Sequence, residues 1–102
     1  MIVVIATIQT KSGSRKPLLD VIRELVPKVR AEKGCIEYGP MIDVETDLTG
    51  KPPRENVVTM VEKWENVAAL EAHLVTPHMH EFRKATELMR LDLKLQVLAP
   101  GL

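Results

Sequence analysis

The stretch Asn56–Val57–Val58–Thr59–Met60–Val61–Glu62–Lys63–Trp64 decides the fold, because it reads as a strand and no helix separates it from the strand before it. It is rich in β-branched residues. Val58, Met60, Glu62 and Trp64 share one face; Val57, Thr59, Val61 and Lys63 share the other. Upstream, Cys35 to Asp43 reads as a second strand, and Gly39-Pro40 within it predicts a bulge or an edge position. Between the two lies a polar segment, Glu45 to Glu55, holding Gly50-Lys51-Pro52-Pro53. It reads as a long loop, either a lid or a solvated connection.

Moving outward, Ile2 to Thr10 reads as a strand with apolar residues on both faces. Leu18, Ile22, Leu25 and Val29, flanked by Leu19 and Val26, have helical spacing. Ser14 is the candidate cap, Pro27 predicts a kink, and Gly34 is the natural stop. Beyond Trp64, Asn66 can cap a short helix carrying Val67, Leu70 and Leu74. Thr76-Pro77 restarts a helix carrying Met79, Phe82, Ala85, Thr86 and Met89. Leu91 to Leu98 alternates cleanly and predicts a half-buried strand.

The order β-α-β-β-α-β is the split βαβ, ferredoxin-like arrangement. It predicts an α+β fold: a four-stranded antiparallel sheet with helices on one face. No residues remain to cover the other face. A second copy of the chain is the simplest cover, so a homodimer with sheets packed face to face is expected.

Composition narrows the function. The 102 residues form one domain, 1–102, with 45% hydrophobic and 27% charged residues, the mix of a globular domain rather than a disordered one. Fourteen basic residues balance fourteen acidic ones, so the excess positive charge of a nucleic-acid binder is missing. No apolar run approaches the ~20 residues of a membrane span. MIVVIATIQT lacks the basic leader and cleavage site of a secretory signal, so a cytoplasmic location is expected. Cys35 is the single cysteine, which excludes an internal disulfide. The aromatic residues are Tyr38, Trp64 and Phe82, so a pocket must be lined mainly by aliphatic side chains and Met.

Three histidines, His73, His78 and His80, fall within eight residues. His78 and His80 do not share a helix face, the Thr76-Pro77 break separates His73 from His78, and no carboxylate stands at ligand spacing. No metal is therefore expected. His73 neighbours the apolar face of its helix, and His78 shares a stripe with Phe82, Ala85 and Met89. Each is either a base at a pocket edge or a histidine bonded to a backbone carbonyl. Glu62 is an odd residue on an apolar face and implies a cavity or a basic partner. Cys35 has no pairing signal, and neither GxSxG nor GxGxxG occurs, so no nucleotide cofactor is expected.

The runs Arg30-Ala-Glu-Lys-Gly-Cys-Ile-Glu-Tyr38, Val61-Glu-Lys-Trp64-Glu-Asn66 and Leu70-Glu-Ala-His73-Leu-Val-Thr-Pro-His78-Met79 resemble the antibiotic biosynthesis monooxygenase superfamily, of dimeric α+β barrel fold. Within it, the chain is most similar to small bacterial quinol monooxygenases. The resemblance spans nearly the whole chain and is weakest in the loop from Glu45 to Glu55. It implies a homodimer with one pocket per subunit between sheet and helices, working without metal or flavin. It implies catalytic roles for Trp64, His73 and His78, and a lining of Tyr38, Met60, Glu62 and Phe82. Haem-degrading members need a histidine and an asparagine where this chain has Arg83 and Ala6, which argues against haem. Isomerases of small signalling sugars share the fold.

The expected function is cofactor-independent oxidation of a dihydroxyaromatic, a quinol, by O2. His73 is the expected base, His78 the second choice, Trp64 a wall for the ring, and Glu62 the holder of a histidine tautomer. The alternatives are a quinone-binding protein without turnover and a sugar isomerase. The isomerase calls for a basic pocket, whereas the expected lining is Met, Trp, Phe and His.

Overall fold

The computed structural model describes residues 1–102. The elements run β1 (Ile2–Thr10), α1 (Arg15–Arg30), β2 (Cys35–Met41), β3 (Val57–Trp64), α2 (Val67–Leu74), α3 (Pro77–Thr86) and β4 (Arg90–Leu98). The four strands form one antiparallel sheet in the order β2-β3-β1-β4. This is the ferredoxin-like α+β arrangement the element order predicts.

Strands β1 and β3 occupy the centre, where Ile2 pairs with Trp64, Val4 with Glu62, Ala6 with Met60 and Ile8 with Val58. These eight residues are buried on one face, beneath the helices. α1 contributes Leu18, Ile22, Leu25 and Val29, all buried, on the stripe their spacing sets. The opposite sheet face carries Val3, Ile5 and Val61 beside Thr59 and Lys63, all part-buried, and no helix lies on it.

Several local expectations are revised. Ser14 stands at the α1 N-cap but has helical dihedrals and makes no side-chain cap bond. An effective cap needs extended backbone, which Asn66 and Thr76 have; they accept from the N–H groups of Ala69 and Met79. α1 ends at Arg30 rather than near Gly34, and it runs through Pro27, whose carbonyl accepts from Ala31 N–H. Pro27 sits in the last turn and removes a single N–H there. Gly34 serves the turn into β2. Its φ is +85°, and a Cβ placed on it would lie 2.6 Å from Ala69 Cβ.

β2 is the edge strand that Gly39-Pro40 implied, but its irregularity lies between Cys35 and Glu37, and Pro40 pairs in register with Met60. It stops at Met41, two residues short of the predicted Asp43. The loop beyond it is tied at its base. Asp43 accepts from Arg54 N–H at 2.9 Å and takes the Arg54 guanidinium on both carboxylate oxygens at 2.8 and 2.9 Å. These bonds lower the Asp43 carboxyl to about 2. Within the loop, Asp47–Thr49 forms one 3₁₀ turn.

β4 departs furthest from expectation. It is exposed along nearly its whole length instead of half-buried. Leu93, Leu95 and Val97 pair with Ile8, Ala6 and Val4 and so face the helix side of the sheet. The helices pack mainly over β2 and β3, which leaves these three side chains 47–53% exposed.

Gly34→Ala is expected to destabilise the fold by about 2–4 kcal/mol, because it combines left-handed strain with overpacking against Ala69. Urea unfolding of parent and variant measures it.

Candidate active site

Each helix end that meets the sheet contributes one group to a shared junction. Glu32 lies in the turn after α1, His73 in the last turn of α2, and His78 in the first turn of α3. The Thr76 hydroxyl links the two helices by donating to the His73 carbonyl at 3.0 Å while accepting from Met79 N–H at 3.3 Å. The Thr76-Pro77 break therefore does not part the two histidines; it turns α3 so that His78 comes back toward His73. One carboxylate oxygen, Glu32 Oε2, lies 2.8 Å from His73 Nδ1 and 2.7 Å from His78 Nε2. An ionised carboxylate only accepts, so both bonds require the histidine nitrogens to donate. With Glu32 ionised and both rings neutral, the junction places the His73 proton on Nδ1 and the His78 proton on Nε2, which leaves the lone pairs on His73 Nε2 and His78 Nδ1.

His73 is 1% exposed and packed between two rings. Trp64 stacks on it at 4.6 Å between centroids with a 36° tilt, and Tyr38 meets it edge-on at 5.6 Å. Trp64 Nε1 donates to Glu62 Oε1 at 3.0 Å. Burial pushes the Glu62 carboxyl above the ordinary carboxylate range, against the pull of the Trp64 N–H and His73. Burial, with the charges of Glu62 and Glu32, likewise holds the Tyr38 phenol well above its usual value. The Cys35 thiol is raised by burial and then by the charges of Glu32 and Glu62, which disfavours its thiolate.

A cavity of about 120 Å³ opens beside this junction, lined by thirteen residues of which nine are hydrophobic. It lies between the sheet and α2–α3. Tyr38, Met60, Glu62, His73 and Phe82 line it, all named from sequence. Trp64 and His78 do not. Trp64 is wholly buried behind His73, so it supports the histidine rather than walling the cavity. His78 borders a separate outer groove between α1 and α3, with Leu25 and Phe82. His80 is exposed and joins neither.

Glu32 is the residue that sequence reasoning missed. It stands 41 positions from His73 and 46 from His78, and helical spacing cannot connect such positions. Its place in the Arg30–Tyr38 run was the available signal. It also overturns the expectation that Glu62 holds the histidine tautomer, and that no carboxylate attends the histidines. Arg83 and Arg90 were missed as well; both line the cavity, along with Ala6, Leu93 and Leu95. Arg90 donates to Thr86 Oγ1 and to the Arg83 carbonyl, each at 2.9 Å, and Arg83 donates to the Leu74 carbonyl. The lining is therefore more basic than the expected Met, Trp, Phe and His.

A profile of the antibiotic biosynthesis monooxygenase family matches residues 1–85. The chain belongs to this family and is, on that membership, a monooxygenase. It is 38% identical over 104 residues to the probable quinol monooxygenase YgiN of Escherichia coli K12, covering 100% of both chains. It is 36% identical over 94 residues to the putative monooxygenase YcnE of Bacillus subtilis strain 168, covering 91% of this chain and 90% of the other. The crystal structure of PA3566 from Pseudomonas aeruginosa superposes with a TM-score of 0.80 at 30% identity, over 97% of this chain and 92% of that one.

Because Glu62 is raised, its protonated form is the one the fold favours. That contribution is complete below the ordinary carboxylate value and is lost as pH rises through the raised one. Glu62→Gln keeps an oxygen for Trp64 and cannot ionise. Its melting temperature relative to the parent is expected to improve from pH 4 to pH 7, as calorimetry at the two pH values would read.

Proposed function

We propose that the chain oxidises a dihydroxyaromatic of the quinol class with O2, without a bound cofactor, using His73 as the base. The observation that carries this is the tautomer set by Glu32: the Nδ1 proton is held, and the free lone pair sits on Nε2 of a residue lining an apolar cavity. The name of the Escherichia coli relative, a probable quinol monooxygenase, points to the same substrate class.

O2 is a triplet and reacts slowly with closed-shell molecules. A quinolate is electron-rich enough to transfer one electron. His73 Nε2 takes a phenolic proton, and the anion reduces O2 to superoxide while becoming a semiquinone radical. Either the pair recombines to a C–O bonded peroxide, which takes the proton back from His73 and breaks its O–O bond to leave a hydroxylated quinone and water, or the semiquinone passes its remaining electron and proton to superoxide, which also takes the first proton back from His73, and quinone and hydrogen peroxide are released. The guanidinium groups of Arg83 and Arg90 favour the anion. The apolar walls exclude water and strengthen each of these charges. A cavity near 120 Å³ is of the order that holds one benzene ring (~150 Å³), so one ring enters and the rest of the substrate lies toward β4.

The homodimer with its sheets packed face to face belongs to the same proposal, and the helix side of β4 adds a second surface to the interface. Leu93, Leu95 and Val97 form an exposed apolar stripe on an edge strand, a surface natural proteins cover. Leu93 and Leu95 also line the cavity, so a partner on this stripe closes it. The cytoplasm, where quinols stay reduced, is the location this chemistry suits; no helix is long and apolar enough to cross a membrane.

Oxygen uptake with a panel of reduced naphthoquinones, corrected for autoxidation, tests the reaction. His73→Ala is expected to lower enzyme-dependent uptake by about 10²–10⁴-fold. Uptake absent from the parent, with saturable quenching of Trp64, would instead favour a binding protein. Anaerobic turnover of a phosphosugar would favour the isomerase, which the two arginines also suit. Light scattering tests assembly: the parent is expected at twice the 11.5 kDa chain mass, and Leu93→Asp combined with Leu95→Asp at the single-chain mass.

A further inference from the structure

Two imidazole nitrogens from different helices aim at one point, and a carboxylate oxygen stands there. His73 Nδ1, His78 Nε2 and a Glu32 oxygen all lie within 4.8 Å of one another. We propose that Glu32, His73 and His78 form a binding site for one first-row divalent ion of the zinc class.

The donor set is two imidazoles and one carboxylate, which is borderline in softness and suits Zn²⁺, Co²⁺ or Ni²⁺ rather than Mg²⁺ or Ca²⁺. Three protein ligands leave a fourth position for water, as in sites that are not purely structural. The observed separations of 2.7 and 2.8 Å are hydrogen-bond lengths. Ligands on a tetrahedral ion with bonds of ~2.0–2.1 Å lie ~3.3 Å apart. The two Glu32–histidine separations need open by only about half an ångström to reach that value, a shift that the Glu32 side chain, sited in a turn, can supply.

Access runs along one direction. The His73 side chain is 2% exposed, that of Glu32 12% and that of His78 21%. His78 borders the outer groove between α1 and α3, so an ion meets His78 first and His73 last. Both nitrogens must shed the protons they donate to Glu32, so each histidine changes tautomer on binding. With an ion on Nδ1, His73 carries its proton on Nε2 and has no lone pair to offer the cavity. Metal loading and base catalysis are therefore mutually exclusive at this junction.

Zinc titration by calorimetry, with Co²⁺ visible absorption as a second readout, tests the site on the full chain after chelator treatment. The expected result is one ion per chain, with affinity reduced at least 100-fold in both Glu32→Gln and His78→Ala and unchanged in His80→Ala. Circular dichroism without metal confirms that each variant is folded. Zinc is also expected to raise the melting temperature of the parent and not that of Glu32→Gln. Absence of binding by the parent, or binding that survives in Glu32→Gln and His78→Ala, overturns the proposal, as does equal loss in His80→Ala. None of these readouts depends on turnover, so they stand apart from the oxygen-uptake result.

Discussion

Glu32 Oε2 accepts two hydrogen bonds from two helices, and the site depends on that convergence. A carboxylate this enclosed needs partners, and the partners it takes are the two histidine N–H groups. In satisfying Glu32 they also fix where α2 and α3 end and begin relative to the turn after α1. Gly34, two residues on, lets that turn approach α2 closely. The Arg30 guanidinium adds a bond to the Tyr38 carbonyl at 3.0 Å, which holds β2 against the end of α1. The junction is therefore structural and chemical at once: the bonds that join three segments are the bonds that choose the His73 tautomer.

The buried layer behind the junction has the same double character. Trp64 fills the core, stacks on His73 and donates to Glu62. A buried carboxyl, a buried imidazole and two aromatic rings are packed so that each polar atom has a partner or faces the cavity. The cavity itself is walled by the sheet on one side and by α2–α3 on another, and it is left open toward β4. That opening follows from the helix layer covering β2 and β3 while β4 stays bare.

Much of the fold was legible because the relevant signals are local. Alternation in β1 and β3, the period of Leu18, Ile22, Leu25 and Val29, and the caps at Asn66 and Thr76 all describe neighbours within a few residues. The misreadings were local rules overridden by context. Ser14 is a cap residue whose backbone is helical, and Gly34 looks like a helix stop but serves the close packing of a turn on Ala69. β4 has the alternation of a half-buried strand, yet burial depends on whether another layer reaches it. Of the site, Tyr38, Met60, Glu62, His73 and Phe82 were reachable through the family resemblance, which implies them as pocket residues, whereas strand alternation by itself marked only Glu62 as an odd residue on an apolar face.

The sequence by itself determined the element order, the sheet topology that follows from it, and the set of residue types available for chemistry. It did so because periodicity and capping act over one or two turns. Only the tertiary structure decided which carboxylate meets the histidines, that Trp64 stands behind His73 rather than in the cavity, and that Arg83 and Arg90 line it. Those are contacts between elements 40 or more residues apart, or between side chains whose direction is set by packing. Glu32 and His78 carry no mutual spacing signal across 46 positions; the fold alone brings them within 2.7 Å.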